Sequence, residues 1–182
     1  MSAADSALVL IDVQERLVPA IDGHARVVWN CRRLLDAARL LGVPIIATEQ
    51  YRKGLGPTVG ELAARLEGVA IYEKRRFSAA AREWFEPLRE RNVAKLLICG
   101  IESHVCVQQT ALDLLSAGWR VYVAADAVGS RREVDRRTAL GRMDSSGAAL
   151  TTTEAALFEW CQSADAPAFK AISQLAKEEP PA

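Results

Sequence analysis

The strongest constraint on this 182-residue chain is an alternation: six short apolar runs, with helix-periodic segments between them. The first run, Ala7-Leu-Val-Leu-Ile-Asp-Val13, is apolar at consecutive positions rather than at every second one. A strand of that kind is buried on both faces, as in a parallel sheet covered by helices on either side. Five further runs come after it, Val43–Glu49, Val69–Lys74, Ala94–Gly100, Arg120–Asp126 and Gly147–Thr152. Helices are predicted over Arg26–Leu41, Val59–Leu66, Ser78–Arg91, Val107 to Gly118, Ser130–Met143, Glu154–Cys161 and Ala166–Lys177. In the first of these, Val27, Cys31, Leu34, Leu35, Ala38 and Leu41 fall on one face. Gln50–Pro57, with two glycines and a proline, reads as a loop, and Glu178–Ala182 as a frayed tail. The pattern predicts an α/β fold of three layers, α/β/α, around a mainly parallel sheet. No internal repeat and no long polar linker divides it, so one domain is expected over 1–182, with its core at about 7–161.

Charge excludes some partners. With 23 basic and 23 acidic residues the formal net charge is zero, which offers no electrostatic footing for nucleic acid or an anionic membrane. The first six residues carry no basic segment, and Ala7–Ile11 is far too short to span a bilayer; a cytoplasmic protein without a membrane partner is expected. Four cysteines without a C-x-x-C pair, joined by only two histidines, predict neither a disulfide scaffold nor a metal site. Neither a G-x-G-x-x-G fingerprint nor a P-loop is present, and no cofactor is expected.

The run Ala94–Gly100 leads directly into Ile101-Glu-Ser-His-Val-Cys-Val107, where the next helical stripe begins. Cys106 is therefore expected in the first turn of a helix that comes directly after a strand. Free N–H groups and the dipole at such a place favour a thiolate, lowering a thiol pKa of about 8.5 by one to several units. The alternative is a cysteine buried simply as a small hydrophobe. Asp12 and Lys74 end the first and third runs, so the fold can bring both to the strand ends where α/β sheets bind ligands. They can form a plain ion pair there. With Cys106 they can also form a working set for attack on a carbonyl. Asp12 would then carry the thiol proton to a leaving group and Lys74 would hold the charges in place. N–H groups just before and at Cys106 could bind the oxyanion.

Four motifs sharpen this. Leu10-Ile-Asp-Val-Gln14, Glu73-Lys-Arg-Arg-Phe-Ser78, Gly100-Ile-Glu-Ser-His-Val-Cys-Val107 and Ala124-Ala-Asp-Ala127 stand in the order and spacing of the isochorismatase-like cysteine hydrolases. That superfamily includes nicotinamidases and N-carbamoylsarcosine amidohydrolases. The resemblance runs from about Ala7 to Cys161, and Thr48–Thr58 is most similar to the branch of isochorismatase domain-containing hydrolases. It implies a six-stranded parallel sheet ordered 3-2-1-4-5-6 and a homo-oligomer, dimer or higher. It implies a triad of Asp12, Lys74 and Cys106 that works through a thioester. It also implies a cis peptide at Ile101–Glu102, with the N–H groups of Glu102 and Cys106 as oxyanion donors. Nicotinamidases hold a metal through an Asp-x-His pair and a further His after the second strand, whereas Thr48–Gly60 contains neither His nor Asp. The resemblance therefore points away from a metal-bound pyridine. The presence of Cys106 favours an amide or ureido C–N bond over an isochorismate-type vinyl ether.

Around this set, Gln14 is expected to orient the site, and Glu49 and Gln50 either to face the pocket or to begin a solvated loop. Tyr51, Phe77 and His104 could line the cavity. His104 stands two residues from Cys106, and i and i+2 on a helix face different ways, which argues against a Cys–His dyad. Asp126 is expected in a structural role, and Cys31, Cys99 and Cys161 in the core. The expected activity is metal-free hydrolysis of a small molecule. A thiol-based redox or regulatory protein, a scaffold with a vestigial site and a vinyl ether hydrolase are the alternatives. Dependence on Asp12 separates acyl transfer from redox chemistry.

Overall fold

A computed structural model describes residues 1–181. Six strands, β1 (Ser6–Ile11), β2 (Ile45–Gln50), β3 (Ile71–Lys74), β4 (Lys95–Ile101), β5 (Arg120–Gly129) and β6 (Ala149–Thr151), form one sheet. Its order is β3-β2-β1-β4-β5-β6, and every pairing is parallel, as the family resemblance implied. The consecutive apolar positions have their reason in this arrangement. Leu8 and Leu10 of β1 enter the core on one face, while Ala7, Val9 and Ile11 enter the core on the other. In β4, Leu97, Cys99 and Ile101 go to the first face, and Leu96 and Ile98 to the second.

Eight α-helices accompany the sheet among the described residues. They are α1 (His24–Leu41), α2 (Arg52–Leu55), α3 (Gly60–Ala63), α4 (Arg82–Glu90), α5 (Gln108–Ser116), α6 (Glu133–Ser145), α7 (Thr153–Cys161) and α8 (Phe169–Ala176). Cys31, Leu34 and Leu35 of α1, Leu157 and Trp160 of α7 and Ile172 of α8 cover one face of the sheet. Phe85 and Leu88 of α4, Ala111 and Leu114 of α5, and Ala139 and Met143 of α6 cover the other. Among the described residues no helix is long and apolar enough to cross a membrane.

Two departures from the sequence expectation matter for function. The predicted loop Gln50–Pro57 contains the single helical turn α2. Strand β5 does not stop at Asp126 but runs on to Gly129. Its register against β4 jumps: Ile98 pairs with Val123, yet Gly100 pairs with Val128. The stretch Ala124–Ala127 bulges out between them, and a bulge re-aims the chain beyond it. α6 consequently begins at Glu133 rather than Ser130, leaving Ser130–Arg132 as a connection beside the end of β4.

Candidate active site

Asp12 is the residue immediately after β1, and its backbone lies in the left-handed region at φ +50°. Few residues other than glycine accept that conformation, and aspartate is among those that do. The turn takes Asp12 off the strand, and its side chain is wholly buried. Thr48 Oγ1 donates to Asp12 Oδ1 at 2.7 Å, and Lys74 Nζ lies 2.6 Å from Asp12 Oδ2. The Asp12 N–H in turn donates to Thr48 O at 3.1 Å. Lys74 Nζ also donates to Gln50 Oε1 at 2.8 Å and to Phe77 O at 2.9 Å. Its three protons thus have partners, which is what a buried ammonium requires.

Cys106 approaches from β4. It does not sit in the first turn of an α-helix; Ser103–Val107 forms one π-helical turn, and α5 starts only at Gln108. The Val107 N–H reaches back five residues to Glu102 O at 3.2 Å. Such wide turns insert a residue into a helix and recur at functional sites. Thr110 Oγ1 secures the turn by donating to Cys106 O at 2.6 Å while accepting from Ala79 N at 2.9 Å. The peptide Ile101–Glu102 is cis. Among the described residues no acceptor takes the Glu102 N–H.

Gly100 makes the close approach of β4 to β1 possible. Its φ is +118°, and a Cβ on it would stand 2.1 Å from Ile11 O. Only glycine fits there. The contact brings the segment that carries Cys106 against the end of β1, one residue before Asp12.

Cys106 is 5% exposed, with the side chains of Asp12 and Lys74 in interacting range of its thiol. Burial pushes the thiol up, Asp12 adds to the rise and Lys74 opposes it, for a result of about 12. The expectation of a lowered pKa is therefore corrected. No regular helix start points at the sulfur, and desolvation of the anion outweighs the nearby cation. At neutral pH this is a thiol beside a carboxylate with one oxygen hydrogen-bonded to Thr48 and the other in ionic contact with Lys74 but accepting no hydrogen bond. Such an arrangement can move a proton from sulfur to carboxylate at the moment sulfur attacks an electrophile.

The other expected residues divide. Gln14 is buried with its amide fully engaged, accepting from Gln50 N at 2.7 Å and donating to Gln50 O and Gly56 O at 3.0 and 2.6 Å. It ties the ends of β1 and β2 together. Gln50 touches Lys74 directly. Glu49 is neither solvated nor open to a ligand. One carboxylate oxygen accepts from Thr58 N and Oγ1 at 2.7 and 2.8 Å, the other meets Arg52 at 3.1 Å, and the group anchors the loop after β2. Tyr51 and Phe77 flank Lys74, 39% and 52% exposed, with Arg75 stacked 4.2 Å from the Tyr51 ring centroid. The His104 ring is engaged by the connection after β5, its Nδ1 3.0 Å from Ser130 Oγ. Asp126 caps α7, accepting from Thr153 N and Oγ1 at 2.8 and 3.0 Å. Cys31, Cys99 and Cys161 are buried. A cavity of about 240 Å³ opens beside Lys74, lined among others by Arg75, Arg76, Ser78, Trp84 and Asp113.

Thr48, Thr110 and Arg131 were not singled out from the sequence. A hydroxyl within an apolar run or stripe gives no signal until its partner is known. An arginine after a strand reads as solvated. Arg131, 62% exposed at its side chain, donates to the buried Glu102 carboxylate through Nη2 at 2.9 Å, Nε at 3.2 Å and its own backbone N–H at 3.2 Å.

Comparison with known proteins accords with this geometry. A family model, the Isochorismatase domain, matches residues 6–155. Isochorismatase domain-containing protein 2 of Danio rerio is 44% identical over 176 residues, covering 96% of this chain and 88% of its own. Among solved structures, MAR1 ribonuclease of Caenorhabditis elegans superposes with a TM-score of 0.92 at 40% identity, covering 100% of this chain and 94% of that one. The YcaC gene product of Escherichia coli, an octameric hydrolase of unknown specificity, superposes with a TM-score of 0.88 at 26% identity, over 97% and 90% of the two chains. From the start of β1 into α7, then, this chain belongs to the isochorismatase family.

Proposed function

We propose that this hydrolase cleaves the C–N bond of a small amide or ureido compound by covalent catalysis at Cys106. The observation that carries the reading is the Asp12 carboxylate, held by Thr48 on one oxygen and Lys74 on the other, beside a thiol kept protonated by burial. A thiol with so high a pKa needs a base at the instant of attack, and Asp12 is the base at hand. As Cys106 Sγ bonds to the carbonyl carbon, its proton passes to Asp12. The oxyanion is received by the N–H groups of Glu102 and Cys106. When the C–N bond breaks, Asp12 gives that proton to the departing nitrogen, leaving a thioester. Water then attacks the thioester, Asp12 takes its proton, and the proton returns to sulfur as the acid product leaves. Lys74 keeps Asp12 placed through both halves.

The same raised pKa speaks against a redox sensor, because oxidation starts from the thiolate. The octameric relative supports a homo-oligomer for this chain as well, which native mass spectrometry reads as a multiple of the protomer mass. The test is intact-protein mass spectrometry of wild type, Cys106→Ala and Asp12→Asn with a panel of small amides, ureido compounds, esters and an oligoribonucleotide. RNA belongs in it because a solved relative is a ribonuclease. The expected result is an acyl adduct on wild type that is absent from Cys106→Ala and slow to form on Asp12→Asn. Turnover of any of these compounds that survives Cys106→Ala would overturn the proposal.

A further inference from the structure

The cis peptide between Ile101 and Glu102 has an unusual neighbour. Its second residue carries a carboxylate that is almost wholly buried, and the partner of that carboxylate comes from the bulge-shifted connection after β5. Arg131 takes both Glu102 oxygens, with Nη2 and Nε on Oε1 and Nε and the backbone N–H on Oε2. One residue earlier, Ser130 Oγ meets His104 Nδ1. The connection therefore grips the Cys106 turn at two points, on either side of Ser103. An exposed arginine paired with an exposed acid contributes little, but here the acid is 4% exposed and three donors converge on it.

Resting on the hydrolase reading above, we infer that Arg131 is a positioning residue for acyl transfer at Cys106. By saturating Glu102 it fixes the peptide whose N–H serves the oxyanion, and it cancels a negative charge that would oppose the one developing there. The Glu102 carboxylate belongs to the same residue as that N–H, so charge on it is felt at short range and through little water. A preorganised donor acts only if it is already in place and its surroundings are not negative. Arg131 supplies both conditions without touching the substrate.

The test separates chemistry that forms an oxyanion from chemistry that does not. Acetylation of Cys106 by 4-nitrophenyl acetate passes through a tetrahedral oxyanion; alkylation by iodoacetamide is a direct displacement that leaves none. Both rates are followed on the full chain by intact mass. Arg131→Ala is expected to slow acetylation about tenfold or more, a fraction of the loss on deleting an oxyanion donor outright, with alkylation held within about twofold. Arg131→Lys should retain part of the rate, and Arg131→Gln with Glu102→Gln should recover most of what Arg131→Gln alone loses. Unchanged acetylation, or acetylation and alkylation falling together, would overturn the inference and leave Arg131 a structural latch. Failure of wild type to acetylate while it still alkylates would instead overturn the hydrolase reading, and the inference with it. Thermal unfolding of each variant shows whether a parallel loss reflects misfolding.

Discussion

Burial and the Asp12 charge raise the Cys106 pKa together, and Lys74 alone opposes them. Wild-type Cys106 should therefore alkylate slowly at neutral pH, its rate still climbing above pH 10, where an ordinary thiol has levelled off. Asp12→Asn removes a raising influence and leaves the lowering one. The sign is then fixed: the thiol pKa falls, and alkylation at pH 7 becomes faster than in wild type. Acyl turnover goes the other way, down by about a hundredfold or more, because the proton carrier is gone. Iodoacetamide rates against pH for both proteins, set beside turnover, check the pair of opposed effects; slower alkylation in Asp12→Asn would contradict them. That Asp12, Lys74 and Cys106 meet was legible in the sequence because all three stand at or just past the end of an apolar run, although a plain ion pair and a thiol buried as a small hydrophobe fitted the same positions. The direction of the Cys106 shift was not legible. It depends on how dry the site is and on a turn that is not α-helical, and neither is written in residue spacing.

At the scale of elements, the site is set by where strand ends stop and how closely they approach. Gly100 shows this most directly, with φ +118° and the Ile11 carbonyl where a side chain would begin. Gly100→Ala combines a conformation that L-residues avoid with a backbone clash that only separation of β4 from β1 relieves. Urea unfolding should show a loss of ~2–4 kcal/mol. Cys106 reactivity should change as well, since the displaced segment leads into its turn. Gly60→Ala is the control. Gly60 opens α3 at an ordinary φ with nothing near a new Cβ, so its stability should move by about 1 kcal/mol or less. The strands themselves were legible to within a few residues, the central ones β1 and β4 most clearly, because burial on both faces leaves consecutive apolar residues. The extension of β5 was not, since Ala124–Ala127 is apolar enough to pass as ordinary strand while it bulges. Sequence reading therefore began α6 too early and lost the Ser130–Arg132 connection, and with it the partner of Glu102.

For the whole molecule, the alternation of apolar runs and helices was enough for a covered parallel sheet. The strand order came from the resemblance, because periodicity does not say which runs are neighbours. That order puts β1 between β2 and β4, with β3 outside β2, and so buries an acid from one strand against a cation from another in the middle of the fold. On the proposed mechanism a buried pair of this kind links catalysis to global stability. Replacing Lys74 by Met leaves the Asp12 carboxylate wholly buried with only Thr48 as a side-chain partner, and an uncompensated buried charge costs about 3–5 kcal/mol. For a domain of this size that is a fall in Tm of roughly 6–20 °C. The double variant Asp12→Asn, Lys74→Met should unfold well above Lys74→Met alone, having no charge left to strand, while remaining inactive. Thermal unfolding of wild type, both single variants and the double variant measures that coupling. A double variant no more stable than Lys74→Met would mean that the lysine supports the fold through its stem and its carbonyl contacts, and that the ion pair serves the chemistry alone.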